Sequence, residues 1–188
     1  MVVPHHISSG EIFEHRYRIE RELGSGAMGI VYEATQLSVG RRVAIKTLHT
    51  AKHVEAVHRK RFIREARIIS QLEHPNTIRI LDFGTTSSGH LYFVMEYLKG
   101  ESLQDALKAR KFSVADTIHV ARQLGKSLAE AHARGIVHRD LKPANVYLKT
   151  VYGEPLFTKL LDFGIARDYE DAASETLTNA GFVVGTIR

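Results

Sequence analysis

His-Arg-Asp-Leu-Lys-Pro-Ala-Asn occupies positions 138–145 of this 188-residue chain, and Asp-Phe-Gly follows at 162–164. Together the two segments carry several polar side chains. The first group places a carboxylate, an ammonium and an amide close together, and the second adds another carboxylate. Carboxylate and amide oxygens are the ligands that Mg²⁺ prefers. Chance assembly of both groups is negligible, so we interpret them as parts of one site.

Composition narrows the class of protein. The chain is 44% hydrophobic and 25% charged, which is the ordinary globular range for one domain or two small lobes. The net charge is +5, but Lys and Arg alternate with Asp and Glu along most of the chain. This interleaving argues against a nucleic-acid partner, and the basic run at 58–67 is read as the solvated face of a helix.

The sequence contains no cysteine, which excludes disulfides and thiolate metal sites and fits a reducing cytoplasm. No run of 18 apolar residues occurs, and residues 1–10 lack the basic segment and apolar core of a secretory signal. We therefore expect a cytoplasmic chain without a membrane segment.

Hydrophobic patterning predicts an irregular leader at 1–16, a strand-rich part at 17–98 and a helix-rich part at 99–188. The first part contains five predicted strands and one helix, which are strands 17–23, 30–34, 42–46, 77–83 and 90–97 and helix 54–72. The second part contains one long helix and two short strands, which are helix 114–131, capped by Ser113, and strands 146–148 and 159–161. This order predicts an α+β fold of two lobes with a cleft between them.

The glycines of Gly24-Ser25-Gly26-Ala27-Met28-Gly29-Ile30-Val31 allow backbone amides to approach phosphate oxygens without an intervening side chain. A dinucleotide-binding loop has the same three glycines but requires a helix directly after them. A strand follows here, so we exclude that alternative.

A lysine and a glutamate provide the next candidates. Lys46 ends the apolar run Val43-Ala44-Ile45, and Glu65 lies at helical spacing from Phe62 and Ile69, on the buried side of its helix. Because an unpaired buried carboxylate is costly, we predict that Glu65 pairs with Lys46. The alternative is that Glu65 lies at the edge of the apolar stripe and reaches water.

With these motifs in this order, the chain resembles the protein kinase family from about Tyr17 to its end. The resemblance implies a two-lobed kinase-like fold, with an antiparallel sheet and one helix in an N-lobe (17–98) and an incomplete helical C-lobe (99–188). The lysine at position 142 resembles the residue found there in the serine/threonine branch of the family. The sequence of residues 138–145 and 162–167 resembles that of bacterial kinases of the eukaryotic type, many of which continue into a membrane span.

The resemblance also implies roles for individual residues. Asp140 would accept the proton of the substrate hydroxyl, and Lys142 would stabilise charge on the transferred phosphoryl group. Asn145 and Asp162 would bind Mg²⁺, and Lys46, held by Glu65, would bind the ATP phosphates. His138 is interpreted as a structural residue of the loop.

The implied ATP site has a roof, a back wall and a floor. Its residues would be Leu23, Gly24, Gly26, Gly29, Val31, Ala44 and Lys46 above the nucleotide, Met95, Glu96 and Leu98 at the hinge, and Tyr147 below. Tyrosine is bulkier than the aliphatic residue usual at that floor position.

Arg139 beside Asp140 resembles kinases that are activated by phosphorylation, for which Thr176 and Thr178 are the candidate acceptors. The implied partners are ATP and proteins that offer serine or threonine.

The family pattern continues beyond Gly185-Thr186, whereas this sequence ends at Arg188. We therefore expect helix 114–131 to expose apolar surface and the isolated chain to be marginally stable. Two hypotheses follow: a protein serine/threonine kinase, here as a fragment, or a nucleotide-binding or interaction module without turnover.

Overall fold

The computed structural model describes residues 6–26, 29–48 and 56–163, and these form two lobes. The first lobe is a six-stranded antiparallel sheet in the order β1-β2-β3-β4-β6-β5 with one helix. Its elements are β1 (Ile12–Phe13), β2 (Tyr17–Gly26), β3 (Gly29–Gln36), β4 (Arg41–Leu48), α1 (Ala56–Ile69), β5 (Ile80–Thr85) and β6 (Leu91–Glu96).

The second lobe combines a three-stranded sheet, in the order β7-β8-β9, with two α-helices and a short 3₁₀ turn. Its elements are β7 (Glu101–Ser102), α2 (Leu103–Ala109), α3 (Val114–Ala133), the turn Pro143–Asn145, β8 (Val146–Val151) and β9 (Glu154–Leu160). The predicted α+β, two-lobed class is confirmed. The short elements β1, β7 and α2 were not predicted, because two to seven residues carry too little periodicity.

Part of the predicted leader, residues 6–16, packs against the first sheet. Ile7 and Phe13 are buried, and the Ile7 N–H donates to the Tyr32 hydroxyl at 3.1 Å. Strand β1 pairs with β2, so this segment extends the first sheet. Two apolar side chains separated by polar residues show no helical or strand period, and only the sheet beneath them reveals their burial.

Helix α3 begins where its cap predicts. The Ser113 hydroxyl accepts from the Asp116 N–H at 3.1 Å, and the Asp116 carboxylate accepts from the Ser113 N–H at the same distance. This reciprocal capping box satisfies backbone donors that the first turn leaves unpaired. The bond from Ser113 lowers the pKa of Asp116.

Only part of the surface of α3 is buried. Val120, Ser127 and Ala131 are buried, whereas Val114 and Ile118 are 77% and 53% exposed. The expectation that this helix leaves apolar side chains on its surface is confirmed for these two residues.

Among the described residues, two clusters of buried side chains make the core. One lies within the first sheet and includes Tyr32, Ile45 and Val94. The other is shared by the two lobes, since it joins Leu48, Leu91 and Phe93 of the first sheet to residues of α1, α3, β8 and β9. The lobes are therefore connected by packing as well as by the chain.

Backbone hydrogen bonds add a second connection beside that core. Thr77, just before β5, forms a parallel bridge with Leu160 of β9. The Ile78 N–H donates to the Leu160 carbonyl at 2.9 Å, and the Leu160 N–H donates to the Asn76 carbonyl at 2.7 Å. Residues 76–78 of the first lobe thus continue the sheet of the second.

Across residues 6–26, 29–48 and 56–163, the helices lack the combination of length and hydrophobicity needed to cross a bilayer.

Replacing Ile7 by Ala tests the packing of the N-terminal segment. We expect the free energy of unfolding to fall by about 3 kcal/mol, because a buried isoleucine leaves a cavity. Urea unfolding measures the change. The control is Ile12→Ala, whose side chain is 47% exposed and should cost less than about 0.5 kcal/mol. Equal stability of Ile7→Ala and the unaltered chain would contradict the packing.

Candidate functional site

A cleft of about 390 Å³ lies between the first sheet and strands β8 and β9. The cleft brings together sequence-predicted residues that are far apart in the chain. Those that line it are Leu23, Val31, Ala44, Lys46, Met95, Glu96, Leu98, Tyr147 and Asp162.

Six lining residues were not predicted, namely Arg21, Ile78, Tyr97, Lys99, Gly100 and Leu161. Tyr97 lies between the predicted hinge residues Glu96 and Leu98, and Lys99 and Gly100 follow them, so continuity along the chain could have indicated all three. Ile78 and Leu161 have no such signal. They reach the cleft because residues 76–78 pair with the end of β9.

The three glycines at the β2–β3 hairpin are not equivalent. A side chain at Gly29 would come within 1.9 Å of the Thr47 carbonyl oxygen, so packing requires glycine there. A Cβ at Gly24 or Gly26 would meet nothing within 4 Å among the described residues, so packing does not require glycine at those two positions. Their small size instead leaves the strand backbone accessible, which a phosphate-binding role needs.

Leu23 enters the cleft through an irregularity of strand pairing. Glu22 pairs with Tyr32 and Gly24 pairs with Val31, so Leu23 has no register partner in β3. It is 39% exposed although it is large and apolar. An unpaired apolar residue beside a cleft offers a surface to an apolar ligand group.

An ion pair lies at one end of the cleft. The Lys46 ammonium lies 2.7 Å from Oδ2 of Asp162, and the Lys46 side chain is only 10% exposed. The Asp162 carboxylate is thus an ion-pair partner of Lys46. Glu65 lies half-buried on α1, and its predicted role stays a prediction.

Asp140 is held by two neighbours in the loop that follows α3. Its Oδ2 lies 2.7 Å from the Lys142 ammonium and accepts from the Asn145 amide at 3.0 Å. The same amide donates to the Asp140 backbone carbonyl at 2.8 Å. Asp140 is 10% exposed and Lys142 51%, so the carboxylate is anchored while the ammonium remains accessible.

His138 connects this loop to the segment before Asp162. Its Nε2–H donates to the Leu161 carbonyl at 2.7 Å, while Nδ1 accepts from the Asp140 N–H at 3.3 Å. The ring also packs against Phe163, with centroids 4.8 Å apart. Burial lowers the pKa of His138, although the Leu161 carbonyl and the carboxylates of Asp140 and Asp162 act in the opposite direction.

The donor set around Asn145 and Asp162 suits Mg²⁺. The Leu161 N–H donates to the Asn145 carbonyl at 2.8 Å, which brings the two predicted ligands close. Asp140 uses the Asn145 amide nitrogen, and no bond between described residues uses its side-chain oxygen. Amide and carboxylate oxygens are hard ligands that fit Mg²⁺. Within the described ranges no cluster of three His, Cys, Asp or Glu side chains forms a metal site.

The linker between the lobes begins at Glu96, whose carboxylate is held from two sides. Lys159 of β9, 9% exposed, places its ammonium 2.6 Å from Glu96 Oε1 and donates to the Thr77 carbonyl at 3.1 Å. The Arg79 N–H also donates to Glu96 Oε1, at 3.0 Å. Sequence reasoning missed Lys159, since a lysine within a strand is usually exposed.

Some predicted features lie outside the described residues. These are the tip of the glycine loop at 27–28 and the segment 164–188, which contains Thr176 and Thr178.

Comparison with known proteins gives concordant matches. The family profile described as "Protein kinase domain" matches residues 17–187. Serine/threonine-protein kinase pkn2 of Myxococcus xanthus is 46% identical over 176 residues, which are 93% of this chain and 21% of pkn2. Serine/threonine-protein kinase PknJ of Mycobacterium tuberculosis is 38% identical over 183 residues, which are 97% of this chain and 30% of PknJ.

The fold is also similar to a solved kinase structure. The PknI kinase domain of Mycobacterium tuberculosis superposes with a TM-score of 0.73 at 31% identity, over 85% of this chain and 64% of that domain. The chain thus spans roughly a fifth to a third of these two curated relatives and about two-thirds of the solved domain.

The lowered pKa of His138 predicts a pH-dependent stability. The folded protein favours the neutral ring, so its stabilising effect is complete above the usual pKa of 6.5 and is lost as pH falls below that value towards the lower folded pKa. We expect His138→Gln to flatten this dependence.

Urea unfolding midpoints measured above and below pH 6.5 provide the test. The control is His119→Gln, an exposed histidine on α3, which should retain the dependence of the unaltered chain. An unchanged slope in His138→Gln would show that other groups cause it.

Lys159→Met tests the buried pair beside the linker. Because the Glu96 carboxylate would lose its cation, we expect the free energy of unfolding to fall by about 3 kcal/mol. The double variant Lys159→Met/Glu96→Met should recover most of that loss. Thermal and urea unfolding measure both, with Lys126→Met on the exposed face of α3 as the control. Destabilisation no larger than that of the control would contradict a structural role for the pair.

Proposed function

The chain belongs to the protein kinase domain family, and from this membership we propose that it transfers the γ-phosphoryl group of ATP to serine and threonine hydroxyls of proteins. The observation that carries the proposal is the double contact of Asn145. Its side chain holds Asp140, and its backbone carbonyl binds the residue before Asp162. A candidate base and two candidate metal ligands are thereby joined beside one cleft.

Adenosine would occupy the apolar part of the cleft. Leu23, Val31 and Ala44 contribute from the first lobe and Tyr147 from β8, and the backbone of the linker offers hydrogen-bonding groups to the base. A pocket with apolar walls and a few polar backbone groups suits a flat heteroaromatic base.

Lys46 would bind the phosphates. Its ammonium is buried next to the cleft and is oriented by Asp162, so little conformational freedom is lost when an anion arrives. The accessible backbone of Gly24 and Gly26 would approach the same phosphates.

Asp140 would accept the proton of the attacking hydroxyl, since Asn145 fixes the position of its carboxylate. Lys142, which is more exposed, would turn from Asp140 towards the transferred phosphoryl group and balance its charge. His138 touches neither reactant in this scheme and acts as a positioning residue.

Asn145 and Asp162 would hold Mg²⁺, whose chemistry when bound is to neutralise charge on the phosphate oxygens. Their side-chain oxygens and the adjacent backbone bond support this assignment.

Further parts of the proposal rest on the family alone. Phosphorylation of Thr176 or Thr178 would supply an anion for Arg139 and favour the active arrangement. We propose that the chain acts in the cytoplasm, where ATP is available, either alone or as the cytoplasmic part of a longer membrane-anchored kinase.

Asp140→Asn provides the test, because it removes the base and preserves the shape of the side chain. With radiolabelled ATP and a mixture of acceptor proteins, we expect transfer to fall at least about 100-fold while MgATP still binds. The assay compares the 188-residue chain with a form extended to the next in-frame stop codon. The matched control is Asp105→Asn, an exposed carboxylate at the start of α2, which should retain transfer.

Binding of MgATP without transfer in either form would favour the module without turnover. Equal transfer by Asp140→Asn and the unaltered protein would refute the assigned base.

A further inference from the structure

The linker of the cleft is held at both ends by two residues that are neighbours across a strand pair. Tyr147 of β8 is the register partner of Lys159 of β9. Lys159 binds the Glu96 carboxylate at the start of the linker, and the Tyr147 hydroxyl donates to the Gly100 carbonyl at its end, at 2.7 Å. The β8–β9 pair therefore determines where the linker lies.

The Gly100 end is in direct backbone contact with β8. A Cβ at Gly100 would lie 2.0 Å from the Leu148 carbonyl oxygen and 3.1 Å from Cε1 of Tyr147. Position 100 therefore accommodates no side chain at this separation. The tyrosine hydroxyl reaches the Gly100 carbonyl because the two backbones are so close.

The hydroxyl is suited to act as a donor. Tyr147 is half-buried, and its phenol O–H lies 2.7 Å from the Gly100 carbonyl oxygen, which can only accept a hydrogen bond. An aliphatic side chain at this position could line the cleft but could not hold the linker.

We propose that Tyr147 is a positioning residue for adenosine. Its ring forms the floor of the cleft, and its hydrogen bond to Gly100 holds the linker at the distance at which the base fits between floor and roof. This inference rests on the proposed function, because it requires that the cleft binds a nucleotide. It adds a residue that acts on the linker as well as on the ligand.

The ring and the hydroxyl of Tyr147 have different contacts, so their effects can be tested separately. Leu23, Val31 and Ala44 approach the ligand space from the first lobe, while the Tyr147 hydroxyl is directed to the linker backbone. Removing only the hydroxyl leaves the ring area in place. Nucleotide affinity should then change through the position of the linker.

The experiment measures binding of MgADP and of magnesium pyrophosphate to the full chain by calorimetry. Pyrophosphate carries the diphosphate without adenosine, so a change confined to MgADP reports on the adenosine part of the cleft. We expect Tyr147→Phe to weaken MgADP roughly threefold to tenfold, the value of one lost hydrogen bond. Pyrophosphate binding should stay within about twofold of the unaltered chain.

Two further variants sharpen the comparison. Tyr152→Phe removes a hydroxyl from a fully exposed tyrosine in the β8–β9 turn and should alter neither affinity. Tyr147→Leu removes the hydroxyl and the ring together, and should weaken MgADP at least as much as Tyr147→Phe.

Equal MgADP affinity of Tyr147→Phe and the unaltered chain would overturn the inference. A parallel loss for MgADP and pyrophosphate, or loss of the cooperative thermal transition in both Tyr147 variants, would also overturn it, because the hydroxyl would then serve the fold. Failure of the unaltered chain to bind MgADP would instead refute the proposed function.

Discussion

The ion pair between Lys46 and Asp162 joins the two lobes at one end of the cleft. Lys46 lies on β4 of the first sheet, and Asp162 follows β9 of the second, 116 residues later. An ammonium that is 10% exposed needs an anion beside it, because desolvation of an unpaired charge is costly. This requirement constrains the distance between the sheets and leaves a cleft rather than a closed interface.

The segment around Asp140 and Asp162 is shaped by backbone conformation as well as by charge. Arg139 and Asp162 both adopt left-handed φ values, 61° and 49°, which cost conformational energy for residues other than glycine. Hydrogen bonds from His138 and Asn145 to the neighbouring backbone offset that cost. The result is a rigid arrangement in which the carboxylates are positioned by their surroundings.

The linker depends on the same second sheet. Its first residue, Glu96, is neutralised by Lys159, and its last, Gly100, is bonded to Tyr147. Since Tyr147 and Lys159 are register partners, a shift of β8 against β9 would displace one end of the linker relative to the other. The register of β8 and β9, the floor of the cleft and the position of the linker therefore depend on one another. The core that the lobes share supports these polar contacts.

Local pattern in the sequence determined much of this protein: the α+β order of elements, the cap of α3 at Ser113 and the glycine hairpin. These follow from short-range rules, because capping, glycine conformation and strand periodicity involve residues close in the chain. Tertiary structure alone decided that Asp162 pairs with Lys46, that Ile7 is buried, and that Lys159 and Tyr147 hold the linker. Each of these contacts joins distant segments, and the choice among several plausible charged or apolar partners depends on which side chains the packed sheets bring within bonding distance.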